Sequence, residues 1–225
     1  MMNFKCAALL TVVTLLLGGC ATTASTQKDM SDYRAHMPRS ILVLPPVNDS
    51  LDVKATYGVW SGVTVPVAEA GYYVFPMAVV DSMFKENGVH SGAEAQNIPA
   101  KKLQEIFGAD AALYIRIKQY GSSYQVLQSV STVAAEAKLV DLKTGTLLWS
   151  GSKTLSQSSN NGDGGLVSAL LTAVIDQVSS SLSDHSHPLA NQVNMIMYTP
   201  TPSQPGVGLL YGPRSPQFQQ DVPQK

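Results

Sequence analysis

Ser40-Ile41-Leu42-Val43-Leu44-Pro45-Pro46-Val47 is a continuous apolar run closed by a proline pair. A strand with one wet face alternates apolar and polar residues, whereas a strand covered on both faces reads as unbroken aliphatics. The run therefore predicts a central, doubly covered strand, ending where Pro45 and Pro46 have no N–H to give to a ladder. Asn48-Asp49-Ser50 follows as a turn cluster.

Downstream, Val59 to Val67 is a Gly-punctuated stretch rich in β-formers, and Tyr72-Tyr73-Val74-Phe75 is a short strand candidate. Pro76 suits a helix N1 position, and Ala78, Val79, Met83 and Phe84 give helical spacing up to the Asn87-Gly88 stop. A second helix is expected from Pro99 to Phe107, with Leu103, Ile106 and Phe107 on one face and Gly108 as its cap. Ala111 to Ile117 returns to strand chemistry, placing Leu113, Ile115 and Ile117 on one face and Tyr114 and Arg116 on the other.

The stretch from Ser122 to Val140 is long, rich in Val, Thr and Ser, and reads as one extended strand. Asp141-Leu142-Lys143-Thr144-Gly145 turns it into Thr146-Leu147-Leu148-Trp149-Ser150, so 122–154 is expected to form a β-hairpin with Gly145 left-handed beside a bulge. Ser158 to Gly165 has loop composition, and Leu166, Leu170, Val174 and Val178 mark a helix to about Leu182. Asn194-Met195-Ile196-Met197-Tyr198 is an edge-strand candidate, and Thr199 to Lys225 is a tail rich in Pro, Gln and Gly. The order of elements is mixed α/β: a mixed sheet with helices packed on it and a long hairpin at one end.

At the other end of the chain, Lys5, an apolar run from Ala7 to Leu17 and Leu17-Gly18-Gly19-Cys20 read as a bacterial lipoprotein signal. At 11 residues the run is too short to span a bilayer core, which needs about 20. Cleavage before Cys20 leaves its thiol and amine for acyl chains, and two or more chains hold a protein stably on a membrane. Asp after the lipidated cysteine favours inner-membrane retention in Gram-negative lipoproteins, which this signal resembles. Ala21 stands there instead, so the expected location is the periplasmic face of the outer membrane. The expected organisation is a signal peptide at 1–19, a lipidated flexible tether at 20–39, an α/β domain at 40–198 and a tail at 199–225.

Composition narrows the function. A net charge of -1 provides no basic excess for a phosphate backbone, so nucleic acid is not an expected partner. Cys6 leaves with the signal and Cys20 carries lipid, so no disulfide is expected in the mature chain. Asp184-His185-Ser186-His187 is the nearest approach to a metal cluster, but no further ligand completes it, and it reads as a polar helix end whose His suit the last carbonyls. No Gly-x-Ser-x-Gly elbow occurs, and the acids fall in turns and on helix faces. Gly162-x-Gly164-Gly165 lacks the strand and the Lys-Ser or Lys-Thr of a phosphate loop. Neither a catalytic residue, a metal nor a cofactor beyond the lipid on Cys20 is expected. Tyr57, Trp60, Tyr72 and Tyr73, set among Gly and Pro, are interface candidates, with core as the alternative.

Several separated motifs carry a family resemblance: Ile41 to Ser50, Gly71 to Pro76, Phe107 to Ile115, Lys138 to Gly145, and Gly208-Leu209-Leu210-Tyr211-Gly212-Pro213-Arg214. Together they resemble a family of Gram-negative outer-membrane lipoproteins of unknown function, the type that includes a meningococcal vaccine candidate. The resemblance implies a three-layer fold similar to the TolB N-terminal domain and more distantly to CsgG and LpoB. It also implies a role in binding within an envelope assembly, with a CsgG-like lipoprotein as the expected partner and a homo-oligomer left open by analogy. No catalytic residue comes with it. It adds Tyr211 to the interface candidates and implies that 208–214 docks onto the domain or a partner, because a solvated tail has no need of an apolar triplet. The expected function is an accessory or structural subunit of a trans-envelope transport or secretion complex, with an LpoB-like regulator of a peptidoglycan-synthesising enzyme as the alternative.

Overall fold

In a computed structural model of the chain, residues 28–125, 128–158 and 186–218 are described. The opening run forms β1 (Ser40–Val43), whose Ile41, Leu42 and Val43 are all buried, as a doubly covered strand requires. It pairs in parallel with β3 (Tyr73–Val74) on one side and β4 (Ala111–Gln125) on the other. The prolines interrupt this line rather than end it, because β2 (Val47–Asn48) resumes pairing with β4 at Arg116 and Ile117. Between Val43 and Val47 the chain advances four residues while β4 advances three, from Leu113 to Arg116, so the proline pair sits in a bulge.

Past β4 the sheet is antiparallel. Its order is β3-β1-β4-β5-β6, with β5 at Gln128–Asp141 and β6 at Leu147–Ser158. The expected turn is present: Gly145 has φ +77°, and the Asp141 carboxylate accepts from the Lys143 and Thr144 amides at 3.0 and 2.7 Å. One expectation is corrected. Ser122 to Val140 is not one strand but the end of β4 followed by β5, and Gln125 pairs with Gln128. Between Gln125 and Gln128 the sequence has no Gly, Pro, Asn or Asp to punctuate the pattern.

Three stretches adopt other structure than expected. Residues 28–39, assigned to the tether, contain α1 (Ser31–Ala35), and Met30 and Tyr33 are buried in the core. Val59 to Val67 is helical, forming α2 (Ala55–Trp60) and α3 (Thr64–Glu69), because Val59, Val63 and Val67 are buried together at a four-residue spacing. Asn194 to Tyr198 belongs to α7 (Ser186–Tyr198), which buries Leu189, Ala190, Val193, Asn194, Met197 and Tyr198, a helical stripe. His187 stands in the first turn of that described helix, and the expected helix end before it lies outside the described residues. The loop from Ser158, the helix from Leu166 to Leu182, the Gly162–Gly165 run, Asp184 and His185 lie essentially outside the described residues, Ser158 itself closing β6.

The remaining helices are α4 (Met77–Glu86), α5 (Gly92–Gln96) and α6 (Ala100–Phe107). α4 turns Val80 and Phe84 inward, so of the four residues expected to mark its face Ala78 and Val79 are instead exposed; α6 buries Leu103 and exposes Ile106. α7 contacts α2, α3, β5 and β6 and covers one face of the sheet. The chain crosses from β1 to β3 and then back over β1 to β4, and because parallel crossovers are right-handed as a rule, the two opposite crossings put α4 to α6 on the other face. The result is the expected mixed α/β fold with helices on a mixed sheet.

Candidate functional site

The Pro45-Pro46 bulge deprives the sheet of amides where β4 still presents carbonyls. Gln96, the last residue of α5, supplies the missing donor: its Nε2 gives to Pro45 O at 2.9 Å and to Ile115 O at 2.8 Å. A buried carbonyl left without a donor costs more than the bond itself returns, so this side chain pins α5 to the end of β1. The helix is placed from its other end by a capping box, in which Ser91 Oγ accepts from the Glu94 amide at 3.2 Å and Glu94 accepts from the His90 and Ser91 amides. Those amides hold the Glu94 carboxyl below the usual carboxylate range. Gly92 is required by contact, because a Cβ there would lie 2.2 Å from Pro46 O.

These constraints leave a groove of about 320 Å³ at the C-terminal end of β1, between α2, α4 and the start of α5. Its apolar lining includes Pro45, Pro46, Trp60, Phe84 and Val89, and its rim carries Asn48, Tyr57, Asp81 and His90. In open α/β sheets the carboxyl ends of parallel strands are the usual place for ligands. The Tyr57 hydroxyl accepts from Lys85 Nζ at 2.9 Å and donates to Asp81 Oδ1 at 3.2 Å, while Lys85 and Asp81 pair at 2.8 Å. These bonds raise the Lys85 pKa and fix the phenol upright at the rim. Beside it the turn after β2 presents Leu51 and Val53 fully to solvent.

The interface candidates separate into two places. Tyr57 and Trp60 meet at the groove with ring centroids 6.1 Å apart; Tyr57 is 46% exposed, whereas Trp60 is buried and donates Nε1 to Val43 O at 3.2 Å. Tyr72, Tyr73 and Tyr211 lie where the C-terminal segment meets β3. Tyr72 is also core: its hydroxyl donates to Leu210 O at 2.7 Å and touches Tyr33 Oη at 2.9 Å. Trp60 and Tyr72 thus take the core alternative, each ring satisfying its polar atom inside the fold, while Trp60 also lines the groove. Tyr73 is exposed, with the Arg214 guanidinium 5.4 Å from its ring, and Tyr211 is half-buried. Leu209 and Leu210 are buried, and the Gly212 and Arg214 amides donate to Ala70 O and Gly71 O at 2.7 and 3.1 Å.

Cys20 lies outside the described residues. Among the described residues no group of His, Cys, Asp or Glu converges as a metal site, and no helix is long and apolar enough to cross a membrane. The sequence singles out none of Leu51, Val53, Asp81 and His90 as a site residue: Asp81 reads as an ordinary solvated acid and His90 as a turn residue. Only the Ser91-x-x-Glu94 signature next to His90 was there to be read.

Comparison with known proteins agrees with the motifs. The "Putative lipoprotein NMB1124/NMB1162" of Neisseria meningitidis serogroup B is 42% identical over 200 residues, covering 89% of this chain and 92% of that protein. The crystal structure of lipoprotein GNA1162 from Neisseria meningitidis has a TM-score of 0.54 at 49% identity, covering 64% of this chain and 100% of the other. The LpoB C-terminal domain from Salmonella enterica gives a TM-score of 0.40 at 17% identity over 54% of this chain and 85% of its own. The family model described as "Putative lipoprotein GNA1162-like" matches residues 28–214, and the chain belongs to that family.

Proposed function

We propose that the protein is anchored by acyl chains on Cys20 to the periplasmic face of the outer membrane and serves as an accessory subunit of a trans-envelope transport complex. It works by binding a protein partner in the groove at the end of β1. The observation that carries this reading is the groove itself: its buried lining, Pro45, Pro46, Trp60 and Phe84, is apolar, with the more exposed Asn48, Tyr57, Asp81 and His90 around it, which suits an apolar side chain of a partner. Lipoprotein family membership and Ala21 support the location. The alternative, a regulator that reaches across the wall to a peptidoglycan synthase, needs length. The described residues begin at Lys28, eight residues after Cys20, and a chain of that length spans at most about 28 Å.

Photocrosslinking in intact cells from position 57, compared with position 152 on β6, tests the proposal. Capture of a CsgG-like or pore-forming lipoprotein from 57 alone is the expected result. Recovery of a wall synthase would replace it with the regulatory reading, and turnover of a wall or lipid substrate by the purified protein would refute both.

A further inference from the structure

Leu51 and Val53 are 103% and 87% exposed, well beyond any other large hydrophobic among the described residues, the next of which is 54%. Their exposure is built in. Asn48 Nδ2 donates to Asp52 O at 2.8 Å, Asn48 Oδ1 accepts from the Ser50 amide and hydroxyl at 2.9 and 2.6 Å, and Asp52 Oδ1 accepts from the Lys54 amide at 2.8 Å. The turn is thus braced by its own polar groups, and its two aliphatic side chains project outward.

We infer that the Asp49–Lys54 turn inserts Leu51 and Val53 into the surface of an anionic lipid bilayer. Two further observations select lipid over protein. The first is charge. Asp49 is paired with both Arg116, at 2.8 Å, and Lys118, at 3.1 Å, so with Lys54 and Asp52 of the turn and with Glu136 and Lys138, which face Arg116 and Tyr114 across β4 and β5, this corner carries four cations against three carboxylates. That local positive balance sits on a chain of net charge -1 and favours acidic headgroups. The second is reach. With a lipid on Cys20, Lys28 is eight residues from the membrane, at most about 28 Å away, so some face of the domain stays close to headgroups throughout. Protruding aliphatic side chains on a turn whose base carries an excess cation match the layered chemistry of the interface.

Because Val53 also lines the groove, insertion sets the groove mouth at the bilayer surface. The partner proposed above is then itself embedded in that membrane, a consequence that rests on the groove reading, while insertion does not.

The test uses the full acylated chain in vesicles of phosphatidylethanolamine and phosphatidylglycerol. An environment-sensitive dye is placed on Leu51→Cys, on Val53→Cys and, as control, on Leu147→Cys, which is 50% exposed at the start of β6. Acylated Cys20 does not compete for the label. Expected are a blue-shifted emission and at least about twofold quenching by spin-labelled acyl chains at 51 and 53 but not at 147. Equal accessibility of all three positions to an aqueous quencher would overturn the inference. So would shielding of 51 and 53 that appears only on adding envelope protein, without quenching by lipid, which would assign the turn to a protein partner. A chain whose intact mass shows no acyl groups would overturn the Cys20 anchor alone. Vesicle co-sedimentation of that chain, expected to fall about tenfold in Leu51→Asp/Val53→Asp, would still decide whether the turn binds lipid.

Discussion

Pro45 and Pro46 remove two amides from the line of β1 and β2, and one side chain compensates. Gln96→Leu, similar in volume but unable to donate, leaves Pro45 O and Ile115 O without this donor. Its expected cost is about 1–3 kcal/mol in urea denaturation, and a change within 0.5 kcal/mol of zero, roughly the scatter of neutral surface substitutions, would mean that water serves equally well. Gly71 is constrained in a different way. It has φ +100°, and a Cβ would meet Ser215 N at 2.5 Å and Gly212 O at 2.9 Å, whereas Gly88, at φ +78°, faces open space. Gly71→Ala should therefore lower the melting temperature clearly more than Gly88→Ala, since both pay for the left-handed backbone and only one also displaces the C-terminal segment. At this scale a side chain's identity was readable and its role was not: Tyr57 and Trp60 lie three residues apart on one helix, yet one stands at the rim and the other fills the core.

Elements with strong local punctuation were legible. α6 runs from just after Pro99 to Gly108, α4 from just after Pro76 to Asn87, and the β5–β6 turn centres on Asp141 and Gly145. The capping box belongs here as well. Ser91→Ala removes the acceptor of the Glu94 amide, and an expected loss of about 1 kcal/mol would be seen as a lower urea midpoint with unchanged slope. Because α5 walls the groove, the same variant should reduce crosslinking from position 57. The illegible elements share one cause, short apolar windows that do not reveal their own period. Asn194 to Tyr198 viewed alone is strand-like, and only its burial against the α2–α3 layer and β5–β6, with Met195 and Ile196 left exposed, gives the helical repeat.

For the molecule as a whole, the C-terminal segment is part of the fold. A stop after Val207 deletes the buried Leu209 and Leu210, the Leu210 carbonyl that Tyr72 bonds, and the amides donated to Ala70 and Gly71. The expected loss is on the order of 5 kcal/mol, measured by thermal or urea unfolding against a chain ending at Gln217. Acid should also destabilise. Asp49, held below the usual carboxylate range by hydrogen bonds from Arg116 and Lys118, and Glu94, held there by backbone amides, bind protons more readily unfolded than folded. Their contribution is present above the ordinary carboxylate pKa, about 4, and is lost as pH falls through the lower folded values. Asp49→Asn/Glu94→Gln should show a shallower loss of stability between pH 5 and pH 2, roughly the span of those values. The linear chain was sufficient for the mixed α/β class, the doubly covered first strand and the family, because apolar runs and turn chemistry act over a few neighbouring residues. Packing settled that Met30, Tyr33, Leu209 and Leu210 belong to the core, that Trp60 and Tyr72 are interior, and that Leu51 and Val53 are not. Burial depends on which distant segment arrives to cover a side chain, and no local pattern encodes that arrival.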